Sequence, residues 1–223
     1  AAGYGGKGLR SEFLYHTSWK FRHNQQDIYH VDSLTVLLDG SESALKHHSH
    51  QNKAWWQTNE PRLRATQEEG IRYLVIQAYK ENIGANIPGI ESQLQDEELF
   101  RWSHLSYELG ELMQMAYPYI CESVWVANQA LLLSLHAAQV REIEGLPAWA
   151  YYREVYNRLI WIPCIFRIPE TQSLIDTWQD YFGYHHASPD IHSWGGLVMS
   201  PICSDDLLKL SDNALFGLLH YYE

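Results

Sequence analysis

Apolar residues recur at three- and four-residue spacing through most of this chain from Pro61 onward, and this spacing constrains the fold more than any other feature. Residues three and four apart lie on one face of an α-helix, so the pattern predicts helices that each bury one face. In the clearest stretch the apolar positions are Ile71, Leu74, Val75 and Ala78. Pro61 suits a first helical turn and Gly84 suits a helix end, so we expect a helix between them.

The same spacing predicts further helices in the middle of the chain. Pro88 is expected to open a short helix, and residues 96–120 are expected to form two helices that separate near Ser103, with Pro118 ending the second. The predicted buried stripe of that second helix is Leu105, Leu109, Leu112, Ala116 and Tyr119. In the helix expected over residues 122–138, the predicted core face is Val124, Ala127, Leu131, Leu135 and Ala138.

Proline and glycine divide the rest of the chain. A helix is expected from residue 148 until Pro163 interrupts it, with a core side of Trp149, Tyr152, Val155, Tyr156 and Leu159. The apolar run over 159–168 is interpreted as a helix end plus an extended linker, with a short buried strand as the alternative. Pro169 and Gly183 bound the next predicted helix, and its apolar stripe is Leu174, Ile175, Trp178 and Phe182. Ser204 and Ser211 are expected to open two short helices.

No sustained alternation of apolar and polar residues predicts strands, so the expected fold class is all-α. Paired helices joined by Pro- and Gly-containing turns favour an irregular, α-solenoid-like array. Residues 1–58 are an uncertain N-terminal segment in which "DSLTVLLDG" predicts one helix, whereas residues 59–223 are predicted to be the helical-repeat region. We expect this region to be a fragment of a larger chain, because the apolar stripe of its last helix would need a neighbour. That stripe is Leu215, Leu218, Leu219 and Tyr222.

The charge pattern bears on possible partners. The net charge is −11, and residues 1–64 contribute +2 against −13 from residues 65–223. Phosphate binding depends on clustered Lys and Arg, so we expect no nucleic-acid partner. The chain has no uninterrupted apolar run of about 18 residues and no signal-peptide pattern, so we expect a cytoplasmic protein without a membrane partner. Cys121, Cys164 and Cys203 stand far apart, which is typical of reduced core thiols.

Few residues suggest catalysis or metal binding. The opening "AAGYGGKG" resembles a phosphate-binding loop, but Gly8 replaces the Ser or Thr that binds Mg²⁺, and no strand precedes it. Histidines cluster as "HHSH" and as "HHASPDIH", without the i, i+4 spacing of a helical zinc site. Solvated loop histidines are the favoured interpretation, and we expect no cofactor and no catalytic residue. A loop-built metal site remains the alternative, with ligands His185, His186, Asp190 and His192.

The tryptophans are the strongest candidates for partner contact. Large flat side chains either fill a core or anchor a protein partner. Trp149 and Trp178 lie on predicted core stripes, so they are assigned to the core. Trp55, Trp56 and Trp194 lie outside such stripes and are the predicted partner-binding residues.

Two stretches resemble a known family. "DEELFRWSHLSYELGELMQMAYPYI" and "GGLVMSPICSDDLLKLSDNALFGLLHYY" are similar to the long helical regions downstream of the NTPase domain in bacterial STAND proteins, the NACHT-type NTPases of antiphage defence. The shared features are a Tyr-Glu-Leu helix ending in Tyr-Pro-Tyr and a Ser-Pro-Ile turn followed by a Leu-Leu-His-Tyr helix. Together these features cover roughly a quarter of the chain. No functional residue is carried over from this resemblance.

The resemblance implies a segment of an α-solenoid sensor that binds a foreign protein, such as a phage protein, and relays binding to an NTPase domain elsewhere in the parent chain. The function predicted from the sequence is therefore a helical protein-binding scaffold or sensor, and not an enzyme. A small metal-dependent hydrolase using the His185–His192 loop and a stand-alone helical adaptor are the alternatives.

Overall fold

The computed structural model describes residue 9, residues 33–102, 105–142 and 148–183, and residues 211 and 214. These residues form an all-α structure, and no β-strand occurs among them. The helices are α1 (Ser33–His50), α2 (Ala54–Arg64), α3 (Glu69–Glu81), α4 (Ile83–Leu94), α5 (Glu97–Trp102), α6 (Ser106–Ala116), α7 (Glu122–Glu142), α8 (Ala148–Leu159) and α9 (Pro169–Phe182). A short 3₁₀-helix, Cys164–Phe166, lies between α8 and α9.

Helix α3 lies at the centre of the N-terminal helices, where it packs against α1, α2, α4 and α6. Every α3 residue from Arg72 to Tyr79 is buried, including Val75, Ile76, Ala78 and Tyr79 with no exposed surface. A helix that is covered on all sides has to be the core element around which the others pack. Helices α4 and α5 then pack on α7, α7 packs on α8, and α8 packs on α9.

One apolar core runs through the described helices from α1 to α9. The predicted division after residue 58 falls inside α2, and α1 packs directly on α3. The described residues before and after position 58 therefore share one core. Packing of α1 could not be predicted, because its partner α3 is separated from it by a whole helix in the sequence.

Two proline positions differ from the prediction. Pro61 does not open a helix but lies inside α2, and Pro88 lies inside α4. Trp56, Glu60 and Leu63 are spaced i, i+4 and i+7, so the face that they share keeps α2 helical through Pro61.

Gly84 also differs from its predicted role, because it lies within α4 rather than at the end of α3. The boundary is set by Asn82, whose side-chain oxygen accepts a hydrogen bond from the Ala85 N–H at 3.1 Å and caps α4. The prediction of a helix end near this point was correct, but the residue that sets it is Asn82.

The buried stripe of α6 is confirmed except at its last member. Leu105, Leu109, Leu112 and Ala116 are buried, whereas Tyr119 is 62% exposed. Because α6 ends at Ala116, the helical spacing no longer applies beyond it, and Tyr117 takes the buried place. The interruption at Pro118 and the separation of α5 from α6 near Ser103 are confirmed.

The core face of α7 was predicted only in part. Val124 and Leu135 are buried, but Ala127 is exposed. Between them, Leu132 is buried together with the polar residues Asn128 and Gln129. Their amides bond to backbone groups of other segments, which periodicity of apolar residues cannot reveal.

The apolar run over 159–168 forms no strand; α8 ends at Leu159 and the 3₁₀-helix follows, as expected for a helix end plus linker. Gln129 holds this linker, since its side-chain N–H donates to the Phe166 carbonyl at 2.9 Å and its oxygen accepts from the Ile168 N–H at 3.0 Å. The predicted bounds of α9 are confirmed, and Gly183 ends it at a φ of 83° that favours glycine.

Several predictions lie outside the described residues. These are the opening "AAGYGGKG", the helix at Ser204, the side chains of Trp149 and Ala138, and the terminal stripe of Leu215, Leu218, Leu219 and Tyr222. Of the last predicted helix, the structure describes Ala214, which is buried, and Ser211, whose hydroxyl accepts from the Ala214 N–H at 3.3 Å. This bond is the one that an N-cap serine makes.

Two glycines form a matched pair for testing the core. A Cβ on Gly110 would lie 2.5 Å from Trp161 Cδ1 and Cδ2, whereas a Cβ on Gly40 would have nothing within 4 Å. We expect Gly110→Ala to lower the free energy of unfolding by about 1–2 kcal/mol, because overpacking outweighs the helix propensity of alanine. Gly40→Ala should raise it by about 0.5–1 kcal/mol. Urea unfolding checks both, and stabilisation by Gly110→Ala would contradict the close approach of α6 to Trp161.

Candidate functional site

The tryptophan doublet at the start of α2 is divided between core and surface. Trp56 is 2% exposed, whereas Trp55 is 46% exposed. Successive residues of a helix point about 100° apart, so one member of a doublet can face the core while the other faces solvent. Of the two, Trp56 is therefore a core residue, and Trp55 is the one that can contact a partner.

A buried polar network holds Trp56. Its indole N–H donates to the Asn86 side-chain oxygen at 2.7 Å, and the Asn86 amide N–H donates to the Ser49 hydroxyl oxygen at 2.8 Å. The Ser49 hydroxyl in turn donates to the Ala78 carbonyl oxygen at 2.7 Å. These three bonds join α1, α2, α3 and α4, so the backbone that carries Trp55 is fixed from four sides.

A second polar contact fixes the end of α1. The Asn82 amide N–H donates to the carbonyl oxygen of His50, the last residue of α1, at 2.8 Å. Carbonyl groups in the last turn of a helix have no partner within the helix, so this bond satisfies one of them. Asn82 thereby caps α4 and also positions the turn that leads from α1 to α2.

The Trp55 ring contacts the ring of His48, and Lys53 contacts the neighbouring histidine, His47. The His48 ring lies 4.9 Å from the Trp55 ring, centroid to centroid, at an interplanar angle of 33°. Lys53 Nζ lies 2.6 Å from His47 Nε2, so the ammonium group donates to a neutral ring nitrogen. We call these four residues the Trp55 surface: His47, His48, Lys53 and Trp55.

The tautomer of His48 follows from its surroundings. Its Nδ1 atom is buried and has no hydrogen-bond partner in the described part of the chain. Leaving an N–H buried without an acceptor is costly, so in the neutral ring the proton belongs on Nε2. The ring then has one N–H, at Nε2, with which to donate a hydrogen bond.

Beneath α2, a carboxylate network supports the same helix. The Tyr79 hydroxyl donates to Glu60, which also pairs with Arg64 at 2.8 Å. Burial raises the pKa of Tyr79 strongly, and the hydrogen bond to Glu60 raises it further, so the phenol stays a donor. A Cβ on Gly89 would lie 2.5 Å from the Tyr79 oxygen, so glycine is what allows α4 to approach this pair.

A second group of aromatic rings lies where α8 meets α9. Trp178 stacks on Tyr152 at 4.8 Å and on Phe182 at 5.4 Å, both at 23°. Trp178 is only partly buried, and Tyr181 beside it is 57% exposed. The assignment of Trp178 to a core stripe is thus confirmed in part: it packs against the core from its edge.

The other predicted site residues are not placed. Trp194 and the alternative metal ligands His185, His186, Asp190 and His192 lie outside the described residues. Within the described ranges, no group of three or more His, Cys, Asp or Glu side chains is arranged to hold a metal ion. Cys121 and Cys164 are free thiols, but both are exposed rather than in the core as predicted.

Comparisons of the chain with protein family models, with curated proteins and with solved structures give no match. Among the helices that the structure describes, none combines the length and the apolar character needed to cross a membrane. The Trp55 surface is therefore defined by its own geometry alone. Sequence reasoning selected Trp55 and the histidine cluster of His47, His48 and His50, but it favoured a solvated loop for these histidines, whereas they lie in the last turn of α1. It did not single out Lys53, whose signal is its position just before α2.

Proposed function

We propose that this chain is a helical protein-binding module and that the Trp55 surface contacts its partner. The observation that supports this most directly is an exposed indole on a rigid support. Trp55 presents a large apolar ring at the start of α2, while its neighbour Trp56 is anchored in the core. Tryptophan is among the residues that contribute most to binding energy at protein interfaces.

Rigidity of the support favours binding. An interface loses free energy when side chains and loops must be ordered on association. The backbone at Trp55 is held by the bonds of Trp56, Asn86 and Ser49 before any partner arrives. The tilted His48 ring beside it further limits the positions open to the indole ring. A pre-organised aromatic anchor of this kind reduces the cost of binding.

The resemblance to STAND proteins supplies a setting for this proposal. In that setting the helices belong to an α-solenoid-like array that recognises a foreign protein, such as a phage protein, within a larger NACHT-type NTPase. A stand-alone helical adaptor would use the same surface. Both settings require binding through exposed residues of the helical array, so the first experiment addresses the surface itself.

The test compares three forms of the chain, immobilised at equal density and exposed to lysates of infected and of uninfected cells. Trp55→Ala removes the exposed indole, whereas Met115→Ala removes a side chain of similar exposure on α6. Retained proteins are quantified by mass spectrometry. Truncating a central anchor costs 2 kcal/mol or more, so Trp55→Ala should reduce retention of specific proteins about 30-fold.

Met115→Ala should retain the same proteins as the wild type. If the wild type retains nothing beyond the bare resin, or if Trp55→Ala retains what the wild type retains, the Trp55 surface is not the partner site and the proposal fails. Circular dichroism of each variant establishes that the helices remain folded.

A further inference from the structure

The stretch that carries the Trp55 surface differs in charge from the rest of the chain. Residues 43–59 contain two lysines and three histidines but no Asp or Glu, although the whole chain has 27 acidic residues. Two acidic groups near this stretch pair with the same lysine: Lys46 lies 2.6 Å from Glu42 and 3.8 Å from Glu81. Lys53 is the lysine left for a partner.

Lys53 is the N-cap residue of α2 and precedes Trp55 by two positions. Among the described residues no carboxylate lies within ion-pair distance of its ammonium group, which contacts the His47 Nε2 atom instead. Lys53 also precedes α2, whose first turn contains no acidic residue. The N-terminal end of α2 adds its own partial positive charge beside the ammonium group.

We propose that the Trp55 surface binds an acidic segment of a partner protein, with an apolar side chain of that segment against the Trp55 ring and a carboxylate beside Lys53. This inference rests on the proposed function and names the chemistry of its partner. With its proton on Nε2, the neutral His48 ring adds an N–H donor beside the Trp55 ring.

The net charge of the chain does not prevent this. At physiological ionic strength the Debye length is about 8 Å, so exposed charges farther away are largely screened. The 17 residues from 43 to 59 contain no Asp or Glu, so their lysines and histidines determine the local charge that a docking segment meets. Elsewhere the surface of the chain is acidic and repels an acidic partner segment. This repulsion restricts docking of the segment to residues 43–59.

The experiment is a selection from a random library of displayed 12-residue peptides. The chain is the bait, and peptides that also bind Trp55→Ala are removed by counter-selection. Enriched peptides are sequenced, and their Kd values are measured by fluorescence anisotropy on wild type, Lys53→Glu and Lys53→Met. We expect enrichment of Asp and Glu together with Leu, Phe or Trp, and a tenfold or greater weakening by Lys53→Glu. Lys53→Met should weaken binding less.

The outcomes separate this inference from the proposed function. Enriched peptides that depend on Trp55 but are neutral or basic would overturn the acidic partner and leave the proposed function standing. Acidic peptides that bind Lys53→Glu as well as the wild type would also overturn it. Selection of no peptide over the Trp55→Ala background would overturn it as well, whereas the proposed function is decided separately by retention of proteins from lysate.

Discussion

Trp56→Ala should lower the free energy of unfolding by about 3–5 kcal/mol, the largest effect that we expect of a single substitution. The indole is 2% exposed and stands edge-on to Tyr79, with ring centroids 6.1 Å apart. Its removal leaves a cavity and also deprives the Asn86 side-chain oxygen of its donor. Natural domains are stable by about 5–15 kcal/mol, so this one change removes a large part of the total.

The neighbouring residue supplies the control. Trp55→Ala deletes the same side chain from the adjacent position, where it is largely in water, and should change the free energy of unfolding by no more than about 1 kcal/mol. Urea unfolding followed by circular dichroism measures both variants. Equal losses in the two variants would show that the doublet is not divided between core and surface.

Asn128→Ala should lower the free energy of unfolding by at least about 2 kcal/mol, because it leaves two buried groups without partners. The Asn128 oxygen accepts from the Tyr117 hydroxyl at 2.6 Å, and its amide N–H donates to the Leu94 carbonyl oxygen at 2.6 Å. Leu94 is the last residue of α4, so its carbonyl has no partner within the helix. Asn128 thus caps α4 from α7.

Two variants isolate this contribution. Ala127→Ser alters the exposed neighbour and should change stability by less than about 0.5 kcal/mol. Tyr117→Phe removes only the hydroxyl group, whose pKa burial raises and which therefore stays protonated as the donor. The double variant Tyr117→Phe with Asn128→Ala should show a coupling of about 0.5–3 kcal/mol. Additive effects would mean that the hydrogen bond between the two side chains contributes nothing.

Much of the secondary structure could be predicted from local sequence. The bounds of α9 followed from Pro169 and Gly183, because proline suits a first turn and glycine adopts the positive φ that ends a helix. The buried stripe of α6 followed from its three- and four-residue spacing. Such signals depend on a residue and its near neighbours, so they can be read without the rest of the fold.

On the core side of α7 the buried residue is Asn128 rather than the predicted Ala127, and this difference shows where local reasoning fails. Periodicity favours apolar residues at buried positions, yet Asn128 is buried and Ala127 is exposed. A buried amide is stable only if both its donor and its acceptor groups are satisfied. The partners of Asn128 are Tyr117 and the end of α4, and nothing in the neighbourhood of residue 128 identifies them.

The sequence by itself determined that this is a helical protein and where several of its helices end, since helix propensity, proline and glycine act over a few residues. Only the tertiary structure decided which tryptophan of the doublet is buried. That choice depends on Asn86 and Ser49, which lie 30 and 7 residues from Trp56 and meet it only when α1, α2 and α4 pack around α3. The free energy that selects the buried ring comes from these distant contacts, and it has no counterpart in the local sequence.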